Sequence, residues 1–243
     1  MTYCLGMLLP TGLVLAADSR SNAGVDQIAL ARKMNFVATL PGRVIAILSA
    51  GNLATTQSVV TQLRQAAGGA DATRDPLAAN TMFDVATMVG AALRDVVDRD
   101  TRYVQPYGDP TGSFLVGGQI AGEPPRLFQI YSAGNFVEAS SRSRFLQIGE
   151  TKYGKPILDR ALDHETTLDE AAKLAMLSFD ATIRSNLSVG PPIDLLRYPI
   201  DSFSTANLIT INDGDPYWLE LKAGYAAGLS GIVDKLPSPP PAA

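Results

Sequence analysis

Residues 2–20, TYCLGMLLPTGLVLAADSR, decide how the chain begins to fold. Thr2 to Leu9 and Leu13 to Asp18 are almost wholly apolar, and Pro10-Thr11-Gly12 between them has the chemistry of a turn. The run from Tyr3 to Ala17 resembles the core of a signal peptide in hydrophobicity alone. It has no basic segment ahead of it, and the turn interrupts it midway. A hairpin accounts for both features. Because its strands do not alternate between apolar and polar residues, both faces of the hairpin should be covered.

Outward from that hairpin, Met34–Leu40 and Arg43–Ser49 flank Pro41-Gly42 as a second strand pair. Asn52 is placed to cap a helix reaching about Ala66, with Leu53, Val59, Val60 and Leu63 on one stripe. Gly68–Pro76 reads as a loop. A second helix, Leu77–Asp100, spaces Phe83, Ala86, Val89, Leu93, Val96 and Val97 helically. Strands follow at Ser113–Ala121, Arg126–Ser132, Phe136–Ser140 and Phe145–Ile148, with Gly117-Gly118 marking a bulge or a close approach. Two helices return at Thr151–Leu162 and Leu168–Leu187, the latter opened by a Thr167/Glu170 capping box. Strands near Ile193–Arg197, Asn207–Ile211 and Tyr217–Leu221 close the order. Two sheets face to face, each with a helix pair outside, satisfy it: an α+β fold, a four-layer αββα sandwich. One domain is expected over residues 1–236. The tail from Pro237 to Ala243 has too little apolar surface for a core and is expected to be disordered.

With 243 residues, 46% of them hydrophobic, the chain can bury a large core. Its 20 basic and 24 acidic residues give a net charge of −4 and a pI near 5.0, which argues against a counterion-releasing nucleic-acid surface. One Cys and one His exclude a disulfide framework and any zinc site built from Cys and His, so no metal and no cofactor are expected. No run of about 18 apolar residues occurs, so no membrane span is expected. The expectation is a soluble, cytoplasmic protein.

The usual catalytic motifs are missing: there is no P-loop, no G-x-S-x-G elbow and no helix-opening G-x-G-x-x-G. His164, in Asp163-His164-Glu165, reads as a solvated turn residue, and Cys4 as a small buried hydrophobe. What remains is the N-terminus. Thr2 is small enough to permit removal of Met1, which would leave a β-hydroxyl beside a free α-amine. Such an amine has an ordinary pKa of about 7.7–8.0, suited to a general base near neutrality.

Thr2-Tyr3-Cys4-Leu5-Gly6, then Gly12-Leu13-Val14-Leu15-Ala16-Ala17-Asp18-Ser19-Arg20, then Lys33, resembles the start of proteasome β-type subunits. Ser49-Ala50-Gly51 before a helix is similar to the next motif of that family. With only Met1 expected ahead of Thr2, and given the chain's length, the resemblance is greatest to the bacterial ancestral β-subunit (Anbu) branch. The classical β-subunits and the HslV peptidase are more distant.

The resemblance implies the fold of the N-terminal-nucleophile hydrolases, with Thr2 as nucleophile and its own amine as base. It implies that Lys33 stabilises the alkoxide, that Asp18 orients Lys33, and that the Gly51 amide forms the oxyanion hole. It also implies a pocket of Ser21, Ala31, Ser49, Leu53 and Gln57, neutral side chains with no preference for charge. Two supporting motifs depart from the family. Its Gly-Ser pair is here Gly149-Glu150, where Glu150 either anchors the Thr2 ammonium or caps the helix expected from Thr151. Its D-x-x-S-G motif is here Asn186-Leu187-Ser188-Val189-Gly190, with Ser188 or Val189 in the Ser position.

The expected activity is that of a threonine peptidase or amidohydrolase within a homo-oligomer, a ring or helical stack, acting on a peptide or amide. The same nucleophile could serve a non-peptide amide or acyl transfer, and a non-catalytic assembly subunit is the third reading. Met82, Met88 and the valines of the second helix exceed one stripe, so they serve either subunit contact or extra core.

Overall fold

The computed structural model describes residues 1–22 and 28–240. β1 (Tyr3–Leu9) and β2 (Gly12–Asp18) form the first hairpin, with Leu5 opposite Ala16. A short pair, β3 (Arg20–Asn22) and β4 (Ile28–Leu30), follows, which the polar sequence around it did not announce. β5 (Met34–Leu40) and β6 (Arg43–Gly51) make the second hairpin, with a register shift between Phe36 and Ala38. Helices α1 (Leu53–Ala66) and α2 (Met82–Val104) come next, then β7 (Gly112–Ile120), β8 (Arg126–Ile130), β9 (Phe136–Glu138) and β10 (Phe145–Gly149). The chain ends with α3 (Lys155–Ala161), α4 (Leu168–Ser185), β11 (Ile193–Pro199), β12 (Leu208–Ile211) and α5 (Pro216–Val233).

One sheet has the order β10-β1-β2-β11-β12 and the other β5-β6-β7-β8-β9. Alternation along β1 explains how they stack. Tyr3, Leu5 and Met7 join Ala175, Met176 and Phe179 of α4 in one core. Cys4 turns the other way and meets Ala17, Leu48, Ala50 and Leu115 in a second core between the sheets. Gly6 shares that face because even a Cβ there would come within 2.7 Å of Leu127. The third core joins Ile45 and Ile47 of β6 to Val59 and Leu63 of α1 and Val89 and Leu93 of α2. The αββα sandwich is therefore realised. Fully burying one side chain such as Phe179 or Leu93 contributes about 1.5–3 kcal/mol.

Several expectations are corrected. The segment Tyr217–Leu221 is helix, not strand: Asp215 accepts the Tyr217 N–H and Pro216 occupies the first turn, so a capped start overrides the aromatic β-propensity. Helix α3 starts at Lys155 rather than near Thr151. Helix α2 starts at Met82 rather than Leu77, after a Thr81/Asp84 capping box. Leu53 and Phe83 are exposed rather than part of their stripes. Gly117-Gly118 is a close approach, since a Cβ on Gly118 would collide with the Val44 carbonyl oxygen. The apolar surplus of α2 is core: Met82 and Val96 are buried and Met88 packs against the same cluster. Exposed apolar surface lies instead on α5, where Leu219, Leu229, Ile232 and Val233 face outward and Trp218 is buried. No helix among the described residues is long and apolar enough to cross a membrane.

Candidate active site

The end of β2 carries a buried ion pair. Asp18 is fully buried and Lys33 is 4% exposed. Asp18 Oδ1 accepts from Lys33 Nζ at 2.6 Å and from the Tyr3 backbone N–H at 3.0 Å. Its Oδ2 accepts from the Gly190 N–H at 3.4 Å, and Lys33 Nζ also donates to the Arg20 carbonyl at 2.5 Å. The Lys33 ammonium and the amide immediately after Thr2 therefore share one oxygen. Burial pushes the Asp18 pKa above its ordinary value, and the Lys33 charge acts against that rise. Removing either partner would leave a desolvated charge, so the pair is expected to be rigid.

Thr2 is half-buried, and the alternation of β1 puts it on the face of Cys4. Cys4 Sγ donates to the Ser49 carbonyl on β6 at 3.5 Å, and the Ser49 N–H donates to the Lys33 carbonyl at 3.1 Å. Lys33 and the end of β6 are thus tied together on the side that Thr2 faces. Gly51 ends β6 with φ 112°, where a Cβ would approach the Thr111 carbonyl to 2.7 Å. Asn52 follows it as the cap of α1, its Oδ1 accepting from Ala54 and Thr55. With Met1 present, the Thr2 nitrogen is a peptide amide.

The opposite wall comes from β10 and the end of α4. The Glu150 N–H donates to the Thr2 carbonyl at 2.7 Å, and Gly149 has φ 84°, with the Thr2 carbonyl oxygen where a Cβ would stand. The Glu150 carboxylate is buried and accepts from Asn186 Nδ2 at 3.0 Å; Lys152 Nζ lies 3.9 Å away. Glu150 does not cap a helix, because α3 begins five residues later with Gly154 as its cap. Asn186 Oδ1 accepts from the Ser188 N–H at 3.0 Å. Ser188 thus joins the wall through its backbone, while Val189 is buried in the core under α4. Arg20, the last residue of the Gly12–Arg20 motif, donates to the Leu187 carbonyl at 2.9 Å and occupies the space that a Cβ on Gly190 would need, a long-range partnership the motif does not announce.

A proteasome-subunit family model matches residues 2–196. Anbu (ancestral beta-subunit) from Yersinia bercovieri superposes with a TM-score of 0.92 at 43% identity, covering 99% of this chain and 100% of that one. The helical assembly of the Anbu complex from Pseudomonas aeruginosa gives 0.92 at 45% identity, covering 98% of each chain. The chain belongs to the proteasome-subunit family, in its Anbu branch. Proteasome subunit beta 1 of Thermococcus sibiricus is 25% identical over 193 residues, 79% of this chain and 84% of that protein.

In this proteasome-type subunit a cavity of about 370 Å³ opens between β5, β6 and α1. Ser49, Leu53 and Gln57 line it, as do Arg32, Asn35, Thr56, Thr61 and Arg64. Ser21 and Ala31 are not among its lining residues: Ala31 instead donates its N–H to the Ser19 carbonyl at 2.8 Å, and Ser21 pairs with Ala29 across β3 and β4. The five neutral residues read from sequence omit its two arginines, which reach it from a connecting segment and the last turn of α1. Arg32 Nε contacts Asp194 of β11 at 3.1 Å, a pairing that no local motif signals. His164 is exposed, and Cys4 is a free, buried thiol whose pKa is raised by burial. Among the described residues no three His, Cys, Asp or Glu side chains gather as a metal-binding group.

Proposed function

We propose that this subunit, once Met1 is removed, is an N-terminal-threonine amidohydrolase that cleaves peptide bonds. The observation that carries the reading is the Asp18 oxygen shared by the Lys33 ammonium and the Tyr3 amide. It brings a buried cation to within one residue of Thr2, where an alkoxide would form. The freed Thr2 amine takes the proton of the Thr2 hydroxyl as Oγ attacks the substrate carbonyl carbon. The resulting oxyanion faces the Gly51 amide, next to the capped N-terminus of α1. The C–N bond breaks, the ammonium proton passes to the leaving nitrogen, and an ester remains on Thr2. Water then gives its proton to the same amine and attacks the ester. The ester C–O bond breaks, the ammonium returns its proton to Oγ, the acid departs and Thr2 is regenerated.

Glu150 supports the amine in this reading. Its backbone N–H holds the Thr2 carbonyl, and its buried carboxylate, one residue's reach from that contact, suits an ammonium. Asn186 holds the carboxylate in place without contributing charge of its own. The free, buried Cys4 is consistent with a reducing, cytoplasmic setting.

Assembly is the second part of the proposal. The Pseudomonas relative is described as a helical assembly. The outward Leu219, Leu229, Ile232 and Val233 of α5 supply apolar surface for contact between copies of this chain. Enclosure would restrict a site at an exposed chain terminus to small or unfolded substrates.

Intact-mass spectrometry combined with a Thr-directed covalent warhead tests the chemistry. The expected result is a chain lacking Met1 that gains one adduct, lost in Thr2→Ala. A chain that keeps Met1 throughout would sink the reading. Light scattering tests assembly, for which a single species near 25.7 kDa would be the contrary result.

A further inference from the structure

The cavity beside β6 has an unbalanced charge. Arg64, at the last turn of α1, donates from Nη2 to Asn35 Oδ1 at 3.0 Å and to the Phe36 carbonyl at 3.4 Å, both neutral acceptors. Among the described residues it makes no ion pair, and no carboxylate lines the cavity. Arg32 is partly compensated, since its Nε faces the buried Asp194 carboxylate; its two Nη groups remain. Gln57 and Thr61 add further hydrogen-bond donors to the wall, whereas the Thr56 hydroxyl donates to the Leu53 carbonyl. A guanidinium fixed from one side presents its other N–H groups in a fork that matches a carboxylate.

The cavity is coupled to the proposed chemistry through main chain. Arg32 is the neighbour of Lys33, and the Ser49 amide of the cavity wall donates to the Lys33 carbonyl. The cavity wall therefore adjoins Lys33 on one side and, two residues on from Ser49, Gly51 on the other.

We propose that this cavity selects an acyl group bearing a carboxylate, with Arg64 as the specificity-determining residue. The carboxylate could come from the Asp or Glu before a scissile peptide bond, or from the far end of a non-peptide diacid amide. The proposal rests on the threonine-hydrolase reading and adds the substrate class to it.

The test uses the mature, assembled protein and a series of Thr-directed peptide vinyl sulfones that differ only in the final residue: Glu, Leu or Lys. A glutaryl vinyl sulfone without a peptide is the fourth probe. The expected result is that a carboxylate probe labels about fivefold faster than the Leu probe at low salt, and the Lys probe slowest. The advantage should shrink at high salt, because Arg64 is exposed and its field is screened. Arg64→Gln should bring the ratio near one, and Arg64→Glu should favour Lys. A faster Glu probe identifies a peptide side chain, and a faster glutaryl probe a diacid. Labelling by Leu or Lys as fast as by both carboxylate probes would overturn this inference and leave the hydrolase reading intact. A preference that survives Arg64→Gln would do the same. Labelling by no probe would overturn both.

Discussion

The two walls around Thr2 are built differently. On the β2 side, Asp18 and Lys33 are almost completely buried and are held by main-chain groups of Tyr3, Arg20 and Gly190. On the β10 side, Glu150 is buried, but its partner Asn186 is half-buried and Lys152 stands at 3.9 Å in solvent. The first wall fixes a charge pair by geometry that tolerates no substitute. The second holds a single charge through a neutral amide. A wall of the first kind should fail abruptly when altered, whereas one of the second kind should weaken by degrees.

Lys33→Ala is the strongest way to break that contrast. It leaves Asp18 buried without its cation and should cost about 3–5 kcal/mol of stability, measured by urea unfolding. Warhead labelling of the folded fraction should vanish. Lys33→Arg should not restore it, because the longer, planar guanidinium cannot take the buried position of a compact ammonium that donates to both Asp18 and the Arg20 carbonyl.

Gly149→Ala comes next. A Cβ there meets the Thr2 carbonyl oxygen at a φ that L side chains rarely adopt, so β10 must pull away from Thr2. About 1–3 kcal/mol should be lost, and labelling should slow even where the fold survives. Glu150→Gln should be milder, about 1 kcal/mol, because it keeps an acceptor for Asn186 and removes only the charge. Labelling that Glu150→Gln abolishes as completely as Lys33→Ala does would erase the distinction between the walls.

The pH profile sharpens it with the smallest perturbation. Burial raises Asp18 above its ordinary 3.8, so the carboxylate takes up its proton at a higher pH than a surface aspartate would. Below the limb set by the Thr2 amine, labelling should show a second fall that begins above pH 3.8 and is absent in Asp18→Asn. The stability linkage has the opposite direction. Because the folded value is raised, Asp18's contribution to stability is full below the ordinary 3.8 and is lost as pH rises from there through the higher folded value. Urea midpoints against pH for the wild type and Asp18→Asn should diverge in that window.

Much of the fold could be read from sequence where the signal is local. The hairpin around Pro10-Thr11-Gly12 and the Thr167/Glu170 cap depend on residues close in the chain, and both appear as expected. Helix α5 escaped because Tyr217 and Trp218 favour strands, and only the Asp215-Pro216 start, easily read as a turn, marks it as helix. In the candidate site, Asp18, Lys33 and Tyr3 lie in one short stretch whose pattern is distinctive. Arg64, Asp194 and the pairing of Arg20 with Gly190 are brought in by helix and sheet packing across long sequence separations. No local pattern marks Arg64 or Asp194, and the motif that contains Arg20 does not name its partner.

The position of β1 between β10 and β2 has a consequence for synthesis. Residues at the start of β1 and the end of β2 are completed only by partners far downstream in the chain. Thr2 waits for Glu150 to donate to its carbonyl, and Asp18 waits for the Gly190 amide. A nascent chain can close the β1–β2 hairpin early, since its contacts are local, but the surroundings of Thr2 need contacts spanning most of the polypeptide. A chain truncated before residue 186 would therefore lack both the Asn186 contact to Glu150 and the Gly190 amide on Asp18, and the proposed site is complete only when the subunit is nearly whole.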